Sequence, residues 1–286
     1  MDPAGTAVRP LTPLDERTTT SIGRSARLEL VFERRGGRTT LTQAYAEPPF
    51  RVGRAFTDGD GLHLILATVA PGIFSGDSLR QIIRVGPGAR VRLTSQSAIQ
   101  IHPSPGRPPA AIDSTFTVGD GGELRCFWDP LIPFAGAAFA QRIAIHLAEH
   151  ARLSWSDAAM TGRAAHGERW AFAELSHELM VWRQESFEYA ERYRIAPAAD
   201  RPTRPWVAAG ASHFGTTLVS GWPVASEFVS GLHESLSRME GVRAAADRLS
   251  DRILLVRFLA NAGVPFREAR AFVAAQSDLD TSSLGR

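Results

Sequence analysis

Three stretches of the chain repeat one plan at a spacing of about 30 residues, and this spacing constrains the fold more than any other feature. They are Val85-Gly86-Pro87-Gly88-Ala89-Arg90-Val91-Arg92-Leu93, Val118-Gly119-Asp120-Gly121-Gly122-Glu123-Leu124-Arg125-Cys126 and Leu147-Ala148-Glu149-His150-Ala151-Arg152-Leu153-Ser154-Trp155. Each reads as a strand end, a tight turn, a small residue (Ala89, Gly122 or Ala151) and an alternating polar/apolar strand. Pro-Gly and Asp-Gly suit the turns, because proline presets φ and glycine accepts φ > 0. A stack of hairpins feeding a sandwich or a coiled sheet produces such spacing. The expected fold is therefore mostly β, with antiparallel hairpins in a sandwich or coiled-sheet arrangement.

The flanking segments extend this pattern. Leu28, Leu30 and Phe32 alternate with polar residues up to Arg35-Gly36-Gly37, after which Thr39, Leu41 and Gln43 resume, as in a hairpin. Pro48 and Pro49 exclude a helix interior. Leu62 to Ala67 suits a buried strand. Leu175 to Tyr193 alternates again, a proline-rich loop follows at 196–205, and Val207 to Val219 reads as a strand pair. Helical spacing appears only near the end, giving one or two C-terminal α-helices. One is expected in Ser235 to Arg248, through Leu236, Met239, Val242 and Ala246. The other is expected in Val264 to Ala275, through Phe266, Ala269 and Phe272. Ile253 to Ala260 between them reads as extended or buried. The expected organisation is a polar flexible lead-in over 1–22, one domain over 23–275 and a flexible tail over 276–286.

Composition excludes several chemistries. All 32 Lys+Arg positions are arginine, so no Schiff-base, Walker or Ser-x-x-Lys lysine exists. The arginines are spread along a chain of formal net charge +2, without the basic patch of a nucleic-acid binder. No run approaches the roughly 18 apolar residues of a membrane span, and the start of the chain has no apolar signal region. The single cysteine, Cys126, forms no internal disulfide, lies in an alternating strand and is expected to be buried. These features suit a cytoplasmic protein.

His146-Leu147-Ala148-Glu149-His150 matches the H-x-x-E-H pattern of inverted zincins. That chemistry needs a helix, whereas Ile143, Ile145 and Leu147 alternate. In a strand the two histidines stand roughly 13 Å apart. The polar residues that remain sit in turn-rich segments. They are Ser75-Gly76-Asp77-Ser78-Leu79, His102 after Thr94-Ser95-Gln96-Ser97, Asp129-Pro130 with Pro133-Phe134, and Gly162-Arg163 with His166-Gly167-Glu168. Each alone fits a turn-forming role, and Arg163 with Glu168 fits an ion pair.

Together and in this order, these motifs resemble the UreD/UreH family of urease accessory proteins. Glu47-Pro48-Pro49-Phe50-Arg51-Val52 is similar to the family's Pro-Leu-Arg-Val segment, and Gly76-Asp77-Ser78-Leu79 to its Gly-Gly-Asp-x-Leu motif. Val85 to Thr94-Ser95 is similar to its Gly-Ala turn and Thr-Thr strand. Asp129, Pro130, Pro133, Phe134 and Gln141 resemble its Leu-Pro-Asp-Pro…Pro-Phe segment. Gly162, Arg163, Gly167 and Glu168 resemble its Gly-Arg-x-x-x-Gly-Glu motif, the most specific of the set.

The resemblance implies a non-enzymatic scaffold that binds apo-urease and a UreF-type protein, which in turn recruits a UreG-type GTPase. It also implies a passage for Ni²⁺ towards the urease active site, with no tightly bound cofactor, no nucleic acid and no membrane. A passage wants carboxylates and imidazoles that hold Ni²⁺ weakly and in succession. Asp77, His102, Asp129, His166 and Glu168 are the candidates. Trp206 and Trp222 are candidate interface anchors, as aromatics dominate hot spots. The competing readings are a metal-dependent hydrolase and a carbohydrate-binding or structural β-module. The second requires Trp155, Trp170 and Trp182 on one exposed face.

Overall fold

The computed structural model describes residues 23–200, 202–208 and 210–283. The lead-in expected over 1–22 and the Trp206 side chain lie outside the described residues.

The chain opens with two hairpins, β1 (Ser25–Arg35) with β2 (Arg38–Ala46) and β3 (Phe50–Asp58) with β4 (Gly61–Thr68). A coil follows: β5 (Ser78–Val85), a turn, β6 (Arg90–Ser95) and the short β7 (Ile99–Ile101). A second coil has β8 (Ala110–Val118), β9 (Glu123–Phe127) and β10 (Leu131–Pro133). A third has β11 (Ala138–Leu147) and β12 (Arg152–Met160), which a 3₁₀ turn (Ala164–His166) links to the hairpin of β13 (Glu174–Arg183) and β14 (Ser186–Ile195). Then come the short helices α1 (Pro197–Asp200) and α2 (Pro205–Ala208), β15 (His213–Ser220), α3 (Ser226–Ser237), β16 (Val242–Ser250), β17 (Ile253–Ala260) and α4 (Gly263–Ser283).

The repeated segments are not hairpins. Each turn carries the chain from one sheet to the other, so successive coils stack in parallel. One sheet runs β14-β13-β11-β8-β5-β1-β2, and the other runs β16-β17-β15-β12-β9-β6-β4-β3. Val85 pairs with Val118 and Val118 with Leu147 in the first sheet. Arg90 pairs with Glu123 and Glu123 with Arg152 in the second. The turns themselves are laddered: Gly119 N–H donates to Val85 O (2.8 Å), Ala148 N–H to Val118 O (2.9 Å) and Arg152 N–H to Gly122 O (2.9 Å). The expected antiparallel sandwich is thus replaced by mixed sheets with a solenoid-like coil. Antiparallel pairs are confined to the ends of the stack, at β1–β2, β13–β14, β3–β4 and β12–β15–β17–β16.

Three local features also differ from expectation. Residues 242–250 form strand β16, not the end of a helix; the helix ends at Ser237, and Gly241 (φ 75°) turns the chain into the strand. Residues 207–219 give the end of α2 and the single strand β15, not a strand pair. Helix α4 extends past Ala275, where the sequence places the end of the domain.

Side chains facing between the sheets form the main core, which includes Leu30, Phe32, Leu64, Ile83, Leu93, Phe116, Leu124, Ile145 and Trp155. Phe116 meets Trp155 edge-on at 5.0 Å between centroids. A second core lies where α3 and α4 cover the outer sheet, through Leu232, Leu236, Val256, Phe258 and Phe266. Cys126 is buried in the main core, and burial pushes its thiol pKa well up. Phe116→Ala should cost about 3–5 kcal/mol of stability as a buried aromatic, whereas Phe187→Ala, 56% exposed, should stay within about 0.5 kcal/mol. Urea denaturation midpoints of the two variants check this.

Candidate functional site

The interior of the coil divides into an apolar half and a polar half. Near the turns, inward positions carry Val85, Val118, Leu147, Val91, Leu124 and Leu153. At the opposite end the same inward rows carry Gln81 on β5, Ser114 on β8, Gln141 on β11 and His177 on β13. Ser95 and Asp157 face them from β6 and β12. These side chains bond to one another. Ser114 Oγ donates to Gln81 Oε1 (3.2 Å), Ser95 Oγ to Asp129 Oδ2 (3.0 Å) and Trp155 Nε1 to Asp157 Oδ2 (2.9 Å). Around them is a cavity of about 70 Å³ lined by Gln81, Ser95, Ser114, Asp129, Gln141 and Asp157. One water needs only ~10–15 Å³ of such space, so the cavity has room for several.

Asp157 also lines a second, open pocket of about 510 Å³ with Glu191, Tyr193, Thr216 and Arg257. Glu191 accepts from Tyr189 Oη and Thr216 Oγ1 at 3.2 Å each and faces Arg257 at 3.8 Å. Burial, then the charges of Asp157 and Glu191, push the Tyr193 hydroxyl pKa well up, so it stays protonated. Arg270 of α4 is 1% exposed and donates to Ser156 Oγ (3.0 Å) and Trp128 O (2.8 Å), the residues preceding Asp157 and Asp129. Burial lowers its pKa to about 10, against the opposing charges of Asp157 and Asp129. It therefore remains a cation at neutral pH beside both carboxylates.

The other motif residues sit on loops at the same end of the coil. Asp77 is 2% exposed. It accepts from Arg24 N–H and Nη2 at 2.8 Å each and from Phe74 N–H at 3.0 Å. The Arg24 guanidinium lies over Phe74 (5.8 Å), which stacks on His102 at 4.3 Å. His102 meets Phe134 (4.9 Å), and Arg163 lies over Phe134 (4.0 Å). Arg163 in turn pairs with Glu168 (Nε to Oε2, 2.8 Å), which also accepts from Ala135 N–H (3.2 Å). Asp77, His102, Phe134, Arg163 and Glu168 thus belong to one continuous string.

Gly76 (φ 78°) and Gly167 (φ 75°) take left-handed turns within that string, and Pro130 and Pro133 flank and end β10 beneath it. At Gly162 (φ 129°) a Cβ would collide with Glu168 O. Of the five ligand candidates, Asp129 alone lines the cavity. Asp77 and Glu168 are held in ion pairs, His102 is fixed between two phenyl rings, and His166 is exposed on the 3₁₀ turn.

Asp157, His177 and Glu191 are missing from the sequence-derived set. Their signal is a polar residue interrupting an inward row: His177 between Leu175 and Leu179, Asp157 after Leu153 and Trp155.

The competing readings find no support in this geometry. His146 stacks on Trp182 at 4.9 Å, while His150 bonds Asp120 at 2.9 Å on the turn stack. Among the described residues no three His, Cys, Asp or Glu side chains converge to hold a metal ion. Trp155 is buried, so it forms no exposed platform with Trp170 and Trp182. Trp222 is buried too, between Arg125 and Arg152, and cannot be a surface anchor.

Fold and site together define a coiled β-scaffold enclosing a polar cavity. The family model of the UreD urease accessory protein matches residues 24–283. Urease accessory protein UreD 1 of Synechococcus sp. (strain JA-3-3Ab) is 34% identical over 65% of this chain and 69% of its own length. UreD of Deinococcus radiodurans is 31% identical over 70% and 73%. UreH of Helicobacter pylori (strain J99) is 27% identical over 83% and 89%. The chain belongs to the UreD family of urease accessory proteins.

Two predictions follow from the loop string. The Arg24 contacts and the Phe74 N–H outweigh burial and hold the Asp77 carboxyl below its ordinary 3.8. Asp77 therefore stabilises the fold fully above that value, and the contribution is lost as pH falls through the lower folded pKa. Asp77→Asn should melt lower at neutral pH and lose less on acidification, as read from thermal melts between about pH 2 and 6. Gly162→Ala should cost about 1–3 kcal/mol through backbone strain, measured by urea denaturation.

Proposed function

We propose that this chain acts in urease maturation as a cytoplasmic scaffold. It binds apo-urease and a UreF-type partner that recruits a UreG-type GTPase, and its interior gives Ni²⁺ a route to the urease active site. The observation that carries this reading is the polar half of the coil interior, where an apolar core would be more stable. Placing Gln81, Ser114, Gln141 and Asp157 inside the coil, Ser114 buried and the others half-buried, costs free energy that neighbouring side chains only partly offset. That cost is intelligible if hydrated cations use the space.

The donor chemistry supports transit over storage. Carboxylates and amides come singly or in pairs, and Arg270 opposes cation trapping beside Asp129 and Asp157. Ni²⁺ is cargo here, handed on by weak exchangeable contacts. The loop string offers a surface for protein partners, with Phe74 40% exposed between Arg24 and His102. Aromatics and arginine dominate such interfaces. No described helix is long and apolar enough to cross a membrane.

The test is co-expression with the urease subunits and the UreF-type and UreG-type proteins of the same source. Wild type should co-purify with them and yield active urease in proportion to Ni²⁺ supplied. Asp129→Ala should keep co-purification and lower activation by about tenfold, the scale for loss of a metal-handling group. Failure of the folded wild-type chain to associate or activate overturns the proposal, and full activation by Asp129→Ala overturns the interior route.

A further inference from the structure

The two long helices, α3 and α4, both pack on the second sheet, which leaves the outer face of the first sheet without cover from either. The outward residues of that bare face lie in level rows, because the parallel strands β5, β8, β11 and β13 pair without a register shift. One row alternates in charge: Arg80, Asp113, Arg142 and Glu178, continued by Arg192 on β14. The next row is Ile82, Thr115, Ala144 and Met180, all half-buried. The third is Arg84, Thr117, His146 and Trp182. Within the chain Arg142 Nε donates to Asp113 Oδ1 at 2.6 Å, and Arg192 Nη2 to Glu178 Oε1 at 2.9 Å. Arg80 is exposed and forms no ion pair among the described residues. Trp182 stacks on His146 at 4.9 Å and meets Phe187, itself 56% exposed, at 6.1 Å.

Charge that alternates from strand to strand is self-complementary. A second copy can lie face to face on this sheet, with the two-fold axis parallel to the strands and midway between β8 and β11. Strand β8 then faces β11 of the second copy, and β5 faces its β13, level for level. Asp113 meets Arg142 of the second copy, and Arg80 meets its Glu178. Ile82 meets Met180, Thr115 meets Ala144, and the Arg84 guanidinium meets the Trp182 ring in a cation–π contact. An axis running along β8 sets Asp113 against Asp113, and one along β11 sets Arg142 against Arg142. An axis between β5 and β8 sets Arg27 against Arg142. An axis between β11 and β13 matches the charges but leaves β5 and Arg80 uncovered. We infer that the outer face of the first sheet is a two-fold interface between copies of this chain, centred between β8 and β11. The one like pair of this arrangement, Arg27 and Arg192, falls at the margin, where the roughly 30° angle between packed sheets carries the strands apart.

The size of the face fits a reversible dimer. Strands about 4.8 Å apart, with same-face levels about 6.6 Å apart, give a surface of roughly 25 by 20 Å from β1 to β14. Over both copies that is about 1,000 Å², the lower limit for a specific interface. Such a dimer dissociates on dilution, and its exposed ion pairs make it weaker in salt. Because the axis is parallel to the strands, the polar ends of both coils point the same way. Two loop strings and two cavity mouths then open side by side, while the turn stack, α3 and α4 stay uncovered.

The experiment is sedimentation velocity of the full-length chain over a range of concentrations, at low and at high salt. Wild type should pass from monomer to dimer as concentration rises, and salt should shift it back. Asp113→Arg sets a cation against Arg142 of the second copy, and Arg142→Glu sets an anion against its Asp113. Each variant should weaken the dimer by at least about tenfold, because the like charges meet twice in a two-fold interface. An equal mixture of the two variants should dimerise again, since the mixed pair once more sets opposite charges against each other. Circular-dichroism melts verify folding. If either variant fails to fold, Arg80→Glu breaks no ion pair within the chain and should weaken the dimer by about tenfold.

A wild-type chain that stays monomeric at every concentration overturns the inference, as do folded variants that dimerise as wild type does. A monomeric wild type whose Arg80→Glu variant loses co-purification with the urease subunits or the UreF-type protein gives the face to that partner and overturns the second copy as its occupant.

Discussion

The in-register stacking of three corner turns holds the rest of the molecule in place. Val85, Val118 and Leu147 pair across one sheet, and Arg90, Glu123 and Arg152 pair across the other, so each turn copies the geometry of the one before. Parallel strands gain their hydrogen bonds only from neighbouring coils, and no coil is stable alone. The small residues Ala89, Gly122 and Ala151 sit where consecutive turns approach most closely; a Cβ on Gly122 would meet Gly119 O at 2.8 Å and Gly86 O at 3.1 Å. Antiparallel strands form both ends of the stack, and helices α3 and α4 cover the face of the second sheet at its β16 end.

Because the turns fix where every strand begins, they also fix which residues share a level inside the coil. Apolar levels follow directly behind the turns, and the polar levels lie one or two alternations further on. The electrostatics of the polar end is a balance. Asp129 and Asp157 are negative, and Arg270 reaches from α4 onto the second sheet to bond the residues preceding each of them. Helix α4 therefore does more than cover apolar surface. It carries a buried positive charge whose position is tied to both carboxylate-bearing segments.

Much of this architecture is readable in the sequence, and the failures have definite causes. Turn residues and spacing reveal three equivalent corners, but Pro-Gly and Asp-Gly look the same whether a turn joins paired strands or strands of different sheets. Parallel pairing leaves no local mark, so Val85–Leu93 reads as a hairpin although β5 pairs with β8 and β6 with β9. Leu236, Met239, Val242 and Ala246 have helical spacing only because the end of α3 and the start of β16 fall into phase; Gly241 between them, at φ 75°, is the signal that separates the two. The loop motifs led to Asp129 and to Asp77, His102, Phe134, Arg163 and Glu168 of the loop string, but not to Arg24, which joins that string through Asp77 and Phe74. They passed over Asp157 and His177, which lie in regular strands and stand out only when inward and outward rows are read separately.

The stack divides the molecule into a conservative end and a permissive one. Inserting a single residue in β11 ahead of Gln141 would turn that amide outward and bring Arg142 inward, because side chains alternate strictly along a strand. At the corners the same insertion would break a ladder shared by three coils. The loops between β4 and β5, β7 and β8, β10 and β11, and β12 and β13 are under no such restriction. They all emerge at the polar end. Length variation is therefore channelled to the rim of the cavity: the chain can try new rims, and so new neighbours, without disturbing the chamber behind them.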